Sequence, residues 1–232
     1  MKVLIFSLLL VLGTLTTGWA QDCLGFSMKT GMSYQMSTYN AKDKLTGVMS
    51  YRVNDVRKEG GATLVDMTVQ VQDEKGKTQP PYTIRYTCKG DELLADLSGA
   101  LQGMQTAMKD AQLKMKSNSI VYPASYSVGQ KLADGQIEAD FLTNGTTMME
   151  MNMTMVNRQV EGKESITTPA GTFDTYKVAS DMNFTNRTMG IPIRGNMRVV
   201  SYRAPNQLLD IKSETFNKNG KLMGYTLLTK VN

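Results

Sequence analysis

Between Ala62 and Asp73 the chain reads ATLVDMTVQVQD, and inward and outward residues alternate through nearly the whole stretch. Thr63, Val65, Met67, Val69 and Val71 fall on one side of an extended strand, and Asp66, Thr68, Gln70 and Gln72 fall on the other. One face is suited to burial and one to water, which is what an antiparallel sheet allows. The habit recurs along most of the chain. Ser33 to Tyr39 turns through Asn40-Ala41-Lys42-Asp43 into Gly47 to Asp55, where Met49, Tyr51 and Val53 share a face; Tyr82, Ile84, Tyr86 and Cys88 share another. Ile120 to Tyr122, Gln136 to Leu142, Thr146 to Glu161, Ser165 to Thr168 and Phe173 to Phe184 follow. Asn196 to Arg203, Leu208 to Asn217 and Leu222 to Val231 complete the set. Asn144-Gly145, Glu161-Gly162-Lys163, Gly190-Ile191-Pro192 and Ala204-Pro205-Asn206 are the turns between them. Roughly ten strands in one sheet have to curve strongly or close.

One stretch changes period. From Asp91 to Ser117, Leu93, Leu97, Leu101, Met104, Met108, Ala111 and Met115 recur at steps of three and four, the stripe of an amphipathic helix. Asp91 suits an N-cap, and Lys109, Lys114 and Lys116 suit the C-terminal end of the dipole. Gly99 and Gly103 weaken such a helix and mark a kink, a break into two, or a strand passing close. The expected fold class is therefore mainly β (α+β): a strongly curved antiparallel sheet of roughly ten strands, half-barrel or barrel, packed around one long or broken helix.

The first twenty residues carry Lys2, the apolar run Val3 to Leu12, and small residues at Gly18 and Ala20. That run is shorter than the roughly 20 residues a membrane span needs, so residues 1–20 read as a signal peptide and 21–232 as a single β-rich domain with a helical insertion at about 91–117. Gln21-Asp22 before Cys23 departs from the aliphatic and small residues that precede an acylated cysteine. No later segment is long and apolar enough to span a bilayer as a helix, so the expected location is the periplasm, the surroundings of an outer membrane, or the outside.

The formal charge of +5 is scattered rather than gathered into a run, which argues against nucleic acid as a partner. Cys23 and Cys88 are the only cysteines; in an exported chain the pair is expected to form a disulfide, tying the start of the domain to the residues before the helical stretch. There is no histidine, and Trp19, the one tryptophan, belongs to the signal peptide. Ser-His-Asp and Cys-His nucleophiles and imidazole-built zinc sites are excluded. Asp66, Glu138, Asp140, Glu150 and Asp181 remain as acid-base candidates, with a solvated sheet face as the plainer reading. No catalytic residue, cofactor or metal is assigned.

Met148 to Met155 reads MMEMNMTM. Thioethers can hold Cu(I), but same-face residues on a strand lie about 7 Å apart, so one ion cannot collect three of them, and no imidazole is present to complete the set. Methionine also fills irregular apolar space. Met149, Met151, Met153 and Met155, with Leu97, Leu101, Met104 and Met108 of the helical stretch, are the candidate lining of an apolar cavity.

Asp22-Cys23, Asp43-Lys44-Leu45-Thr46-Gly47, Cys88-Lys89-Gly90-Asp91, Val128-Gly129-Gln130, Asn157-Arg158, Thr167 to Val178 (TTPAGTFDTYKV) and Ser213 to Leu222 together resemble the TapB-like family of exported bacterial proteins, a Bacteroidetes-type domain of unknown function. The resemblance implies an exported, mostly β-sheet domain, and supplies neither activity nor catalytic residues. A further likeness to half-barrel lipoprotein carriers is one of fold alone. The resulting expectation is an exported, non-enzymatic protein holding a lipid or other hydrophobic ligand in a methionine-rich concavity. A structural or assembly partner of another envelope protein is the alternative, and a hydrolase using a carboxylate pair comes third.

Overall fold

The computed structural model describes residues 21–23, 26–106, 111–205 and 207–232, and the side chains of all of these except 21–23, 27 and 103–106. A short ribbon, β1 (Gln21–Cys23) with β2 (Phe26–Met28), precedes twelve strands. These are β3 (Ser33–Asn40), β4 (Leu45–Glu59), β5 (Ala62–Asp73), β6 (Tyr82–Lys89), β7 (Glu92–Asp96), β8 (Ala111–Pro123), β9 (Gly135–Thr143), β10 (Thr146–Thr168), β11 (Gly171–Thr188), β12 (Ile191–Arg203), β13 (Lys212–Asn217) and β14 (Leu222–Val231). Every strand pairs antiparallel with its neighbours in sequence, and β14 returns to β3, closing an up-and-down barrel. Beyond the ladder, Ser33 and Asn232 exchange backbone hydrogen bonds of 3.0 and 2.9 Å, and Tyr39 stacks on Tyr225 across the seam. Closure gives each of these twelve strands a partner on both sides over part of its length.

The sheet is as expected, but the long helix is not. The one α-helix among the described residues, α1 (Ser98–Thr106), is nine residues long. Glu92–Asp96, read as its start, is strand β7, and Ala111 to Ser117, read as its end, belongs to β8. The reason lies in the spacing. A step of four satisfies a helix and a strand equally, so Leu93/Leu97 and Ala111/Met115 fit either. The intervening residues decide: Gln112, Lys114 and Lys116 are exposed between the inward-facing Ala111, Leu113 and Met115, a period of two. The proposed N-cap fails with the helix, because Asp91 sits in the β6–β7 turn. Asp96 does that work instead, its Oδ1 accepting the Ser98 N–H at 2.9 Å and a hydrogen bond from Asn118 Nδ2.

Two further boundaries move. Glu161-Gly162-Lys163 is no turn: β10 runs through it with irregular register at Val156/Gln159 and Val160/Gly162, and Asn157 takes a φ of 53° in the first. Leu208 to Ile211 is no strand either. The β12–β13 connection instead carries Ala204, Leu208, Leu209 and Ile211, all buried, into the main core. A twelve-stranded barrel is wider than its own side chains fill easily, and this connection and α1 supply the missing volume. Gly99 explains how close the helix comes. A Cβ there would lie 1.8 Å from the Thr83 carbonyl oxygen of β6, so only glycine admits that approach, the third of the roles expected for it.

Candidate binding cavity

Inside the barrel lies a cavity of about 280 Å³. Met36 of β3 and Met49 of β4, with Leu97, Ile120, Leu208 and Leu209, give it an apolar wall. Tyr51 of β4, Tyr86 of β6 and Tyr122 of β8 bring aromatic rings, and Arg203 and Asp210 bring charge. Strand alternation puts each ring inside: Tyr51 lies between exposed Ser50 and Arg52, and Tyr86 between Ile84 and Cys88 on the buried face.

The polar end is built on Arg203, the last residue of β12. Its Nη1 lies 2.5 Å from Asp210 Oδ1, its Nη2 donates to the Leu208 carbonyl at 3.2 Å, and its guanidinium carbon stands 4.2 Å from the centroid of Tyr122. The same side chain therefore holds the inserted loop in place and lines the cavity. On Tyr122 there is a second cation. Arg158, in the strand irregularity of β10, is 3% exposed and stands 5.2 Å from that ring, while donating to the carbonyls of Val121 at 2.9 Å and Ala133 at 2.6 Å. Arg158 has no carboxylate in ion-pair contact among the described residues. Tyr122 is thus flanked by two guanidinium groups with one carboxylate, Asp210, between them and neutrality.

Proton equilibria follow the same geometry. Burial works against the charge on Arg203, but Asp210 and the nearby tyrosines outweigh it and hold the guanidinium above its ordinary pKa. Arg158 is pulled down by burial and by the neighbouring charge of Arg203, against the opposing pull of Tyr122, Tyr126 and Asp134. Burial likewise pushes Tyr51, Tyr86 and Tyr122 up, so all three remain neutral donors at physiological pH.

The residues expected to line a cavity divide. Leu97 does line this one. Leu101 and the face Met149, Met151, Met153 and Met155 lie together in a neighbouring apolar cluster with Ile137, Ala139 and Phe141, outside the lining of this cavity. The side chain of Met104 and all of Met108 lie outside the described residues. So does the side chain of Cys23, and with it the expected pairing; Cys88 is buried and is not a free thiol, and β1 lies beside β5, the partner of the strand that carries Cys88. Alternation places Tyr51 and Tyr86 on inward faces, whereas Tyr122, Arg158 and Asp210 carry no signal that marks them as cavity residues. An arginine ending a β run just before Ala-Pro is the one local hint for Arg203.

The carboxylates lie elsewhere. Asp140 and Glu150 face each other across β9 and β10, but Lys116 lies 2.8 Å from Asp140 and Arg187 3.2 Å from Glu150, with Glu138 also beside Lys116. Asp66 lies between Arg57 at 2.7 Å and Arg85 at 2.6 Å, and Asp181 accepts from Asn157 at 2.8 Å. Each is compensated along the sheet rather than turned toward the cavity. Among the described residues no group of three His, Cys, Asp or Glu side chains could hold a metal ion, and no helix is long and apolar enough to cross a membrane.

Fold and cavity together define a plugged twelve-stranded up-and-down barrel with an amphipathic interior site. The chain belongs to the DUF3108-like family, whose profile matches residues 29–228. No characterised curated protein matches it. Among solved structures it is similar to a candidate lipoprotein of Parabacteroides distasonis, at 24% identity over 91% of this chain and all of that one, with a TM-score of 0.70. It is similar to the same degree to a candidate exported protein of Bacteroides fragilis described as having a YmcC-like fold, at 21% identity, 91% and 100% coverage and a TM-score of 0.70. Both likenesses are of fold.

Proposed function

We propose that this chain is an exported envelope protein of the narrower TapB-like kind that binds, without transforming, a small amphipathic molecule inside its barrel. The observation that carries the reading is the cavity itself: an apolar wall facing three neutral phenols and a guanidinium paired with Asp210, with a second buried guanidinium behind. Two buried guanidiniums share one ion-paired carboxylate, Asp210, and the other acid acting on Arg158, Asp134, is exposed to solvent, so the interior keeps a positive bias that favours a ligand whose polar end is an anion. A volume of about 280 Å³ accepts roughly ten non-hydrogen atoms. The class is therefore a short-chain or small aromatic carboxylate, phosphate ester or similar molecule, or the end of a larger acyl chain. The signal-like residues 1–20 and the exported relatives support export. Native mass spectrometry of protein purified from its own envelope tests the reading. A non-covalent adduct removable by organic extraction is expected; a clean apo mass under gentle conditions would overturn it.

A further inference from the structure

Because the barrel is a simple meander, its connections alternate between two ends. The β4–β5, β6–β7, β8–β9, β10–β11 and β12–β13 connections lie at one end, with the inserted loop; the β3–β4, β5–β6, β9–β10, β11–β12 and β13–β14 turns lie at the other, as does the β7–β8 connection that carries α1. Five of the seven large apolar side chains that are exposed among the described residues lie at this second end: Leu45, Met189, Ile191, Ile193 and Met223. Three of them form the tip of the β11–β12 hairpin, which pairs Thr188 with Ile191 around the two-residue turn Met189-Gly190.

That turn is chemically out of place. Met189 has a φ of 48°, a left-handed conformation that suits Asn or Gly and crowds a longer side chain. The barrel's other such turn at this end, Asn144-Gly145, uses asparagine at φ 51°. Met189 is also 72% exposed, so no packing within the chain offsets its strained backbone. A surface outside the chain that covers the side chain would offset that cost.

The surrounding charge says what. Lys42 and Lys44 lie on the β3–β4 turn, Lys75 and Lys77 on β5–β6, Lys218 and Lys221 on β13–β14, and Arg194 flanks the tip. The same turns carry three acids, Asp43, Asp73 and Glu74, the last paired with Lys44 at 2.8 Å, so their six lysines exceed the acids by three. The opposite end is closer to balance, with Lys29, Lys58, Lys89, Lys131 and Lys230 against Glu59, Asp91, Glu92 and Asp134. An apolar hairpin tip on a lysine-rich end of the barrel is the pattern of an interfacial lipid contact, where methionine and isoleucine enter the acyl boundary and cations meet anionic headgroups.

We propose that this end of the barrel docks on an anionic bilayer surface through the Met189-Gly190 hairpin tip. The test is co-sedimentation of the exported chain, shown by intact mass to carry no acyl group, with sucrose-loaded vesicles of phosphatidylethanolamine and phosphatidylglycerol or of phosphatidylcholine alone. Wild type should partition at least tenfold more onto the anionic vesicles at low salt and lose most of that in 0.5 M salt. Met189→Asn/Ile191→Thr/Ile193→Thr keeps a favoured Asn-Gly turn, so it should melt no lower than wild type while partitioning at least tenfold less. Absent partitioning of wild type, or equal partitioning of the variant, overturns the proposal. So does a wild-type dimer that ignores vesicles and that the triple variant dissolves, since the surface would then meet a second copy.

Discussion

Replacing Arg203 with methionine removes three contacts at once: the 2.5 Å pair with Asp210, the 3.2 Å bond to the Leu208 carbonyl and the 4.2 Å stacking on Tyr122. The Arg203 side chain is 8% exposed and that of Asp210 20%, so the carboxylate left behind is largely cut off from water. Removing one partner of a buried pair costs about 3–5 kcal/mol, and the residual access of Asp210 to solvent places the expected loss near the lower bound, at about 3 kcal/mol. Part of this is the orphaned carboxylate rather than the lost pair. Arg203→Met/Asp210→Leu should therefore recover at least about 1.5 kcal/mol, because both charges leave together and the apolar replacements join Leu208 and Leu209. Equilibrium urea unfolding reads both effects. With a slope of about 2–3 kcal/mol/M, the single variant should lower the midpoint by about 1–1.5 M without changing the slope. A loss below about 1 kcal/mol, or a double variant as damaged as the two single variants summed, would refute the view that Arg203 pins the inserted loop through Asp210.

Gly99→Ala should force α1 off β6, since the added carbon meets the Thr83 carbonyl at 1.8 Å; a cost of about 1–3 kcal/mol corresponds to a fall of roughly 3–10 °C in melting temperature, read by circular dichroism. Asp66 tests the outer sheet face. Hydrogen bonding from Arg85, then from Arg57, holds its carboxyl below the usual carboxylate range, although burial opposes this. The depressed group stabilises the fold above the unfolded-state pKa of about 3.9, and that contribution disappears as pH falls through the lower folded-state value. The stability gap between wild type and Asp66→Asn in urea titrations should accordingly be constant from pH 7 to 5 and shrink below about pH 4; a gap that widens on acidification would contradict the assignment.

The strands were legible because each buries one face. Ala62–Asp73 and Leu222–Val231 have the bounds that alternation and turns assign them, and the two inward tyrosines of β4 and β6 follow from the same rule. The segment from 91 to 117 was misread because steps of four are common to both periods, and the exposed lysines of β8 separate them only when every intervening residue is weighed. Gly99 illustrates the opposite case: its local signal, a poor helix former in a helix, was correctly ambiguous, and only the position of Thr83 in space resolves it. The site was less legible still. Arg158 turns inward because β10 loses its regular register around Asn157, and a bulge inverts the face that alternation assigns. Arg203 and Asp210 meet only because a connection that reads as a strand folds into the barrel. Local periodicity reports which face of a strand is dry; it carries nothing about which loops return to fill a barrel.

The central claim is that the barrel interior is a positively biased amphipathic site, and it is tested most directly by titrating the purified, ligand-stripped protein with octanoate and, separately, with octylammonium in a calorimeter. The two probes share an apolar body of the size the cavity accepts and differ in the sign of the head. Octanoate is expected to bind with one-to-one stoichiometry and at least tenfold more tightly than octylammonium, and Ala95→Phe, which fills the cavity from β7, is expected to abolish that binding. Equal affinities, stronger binding of the cation, or octanoate binding that survives Ala95→Phe in a folded protein would contradict the account.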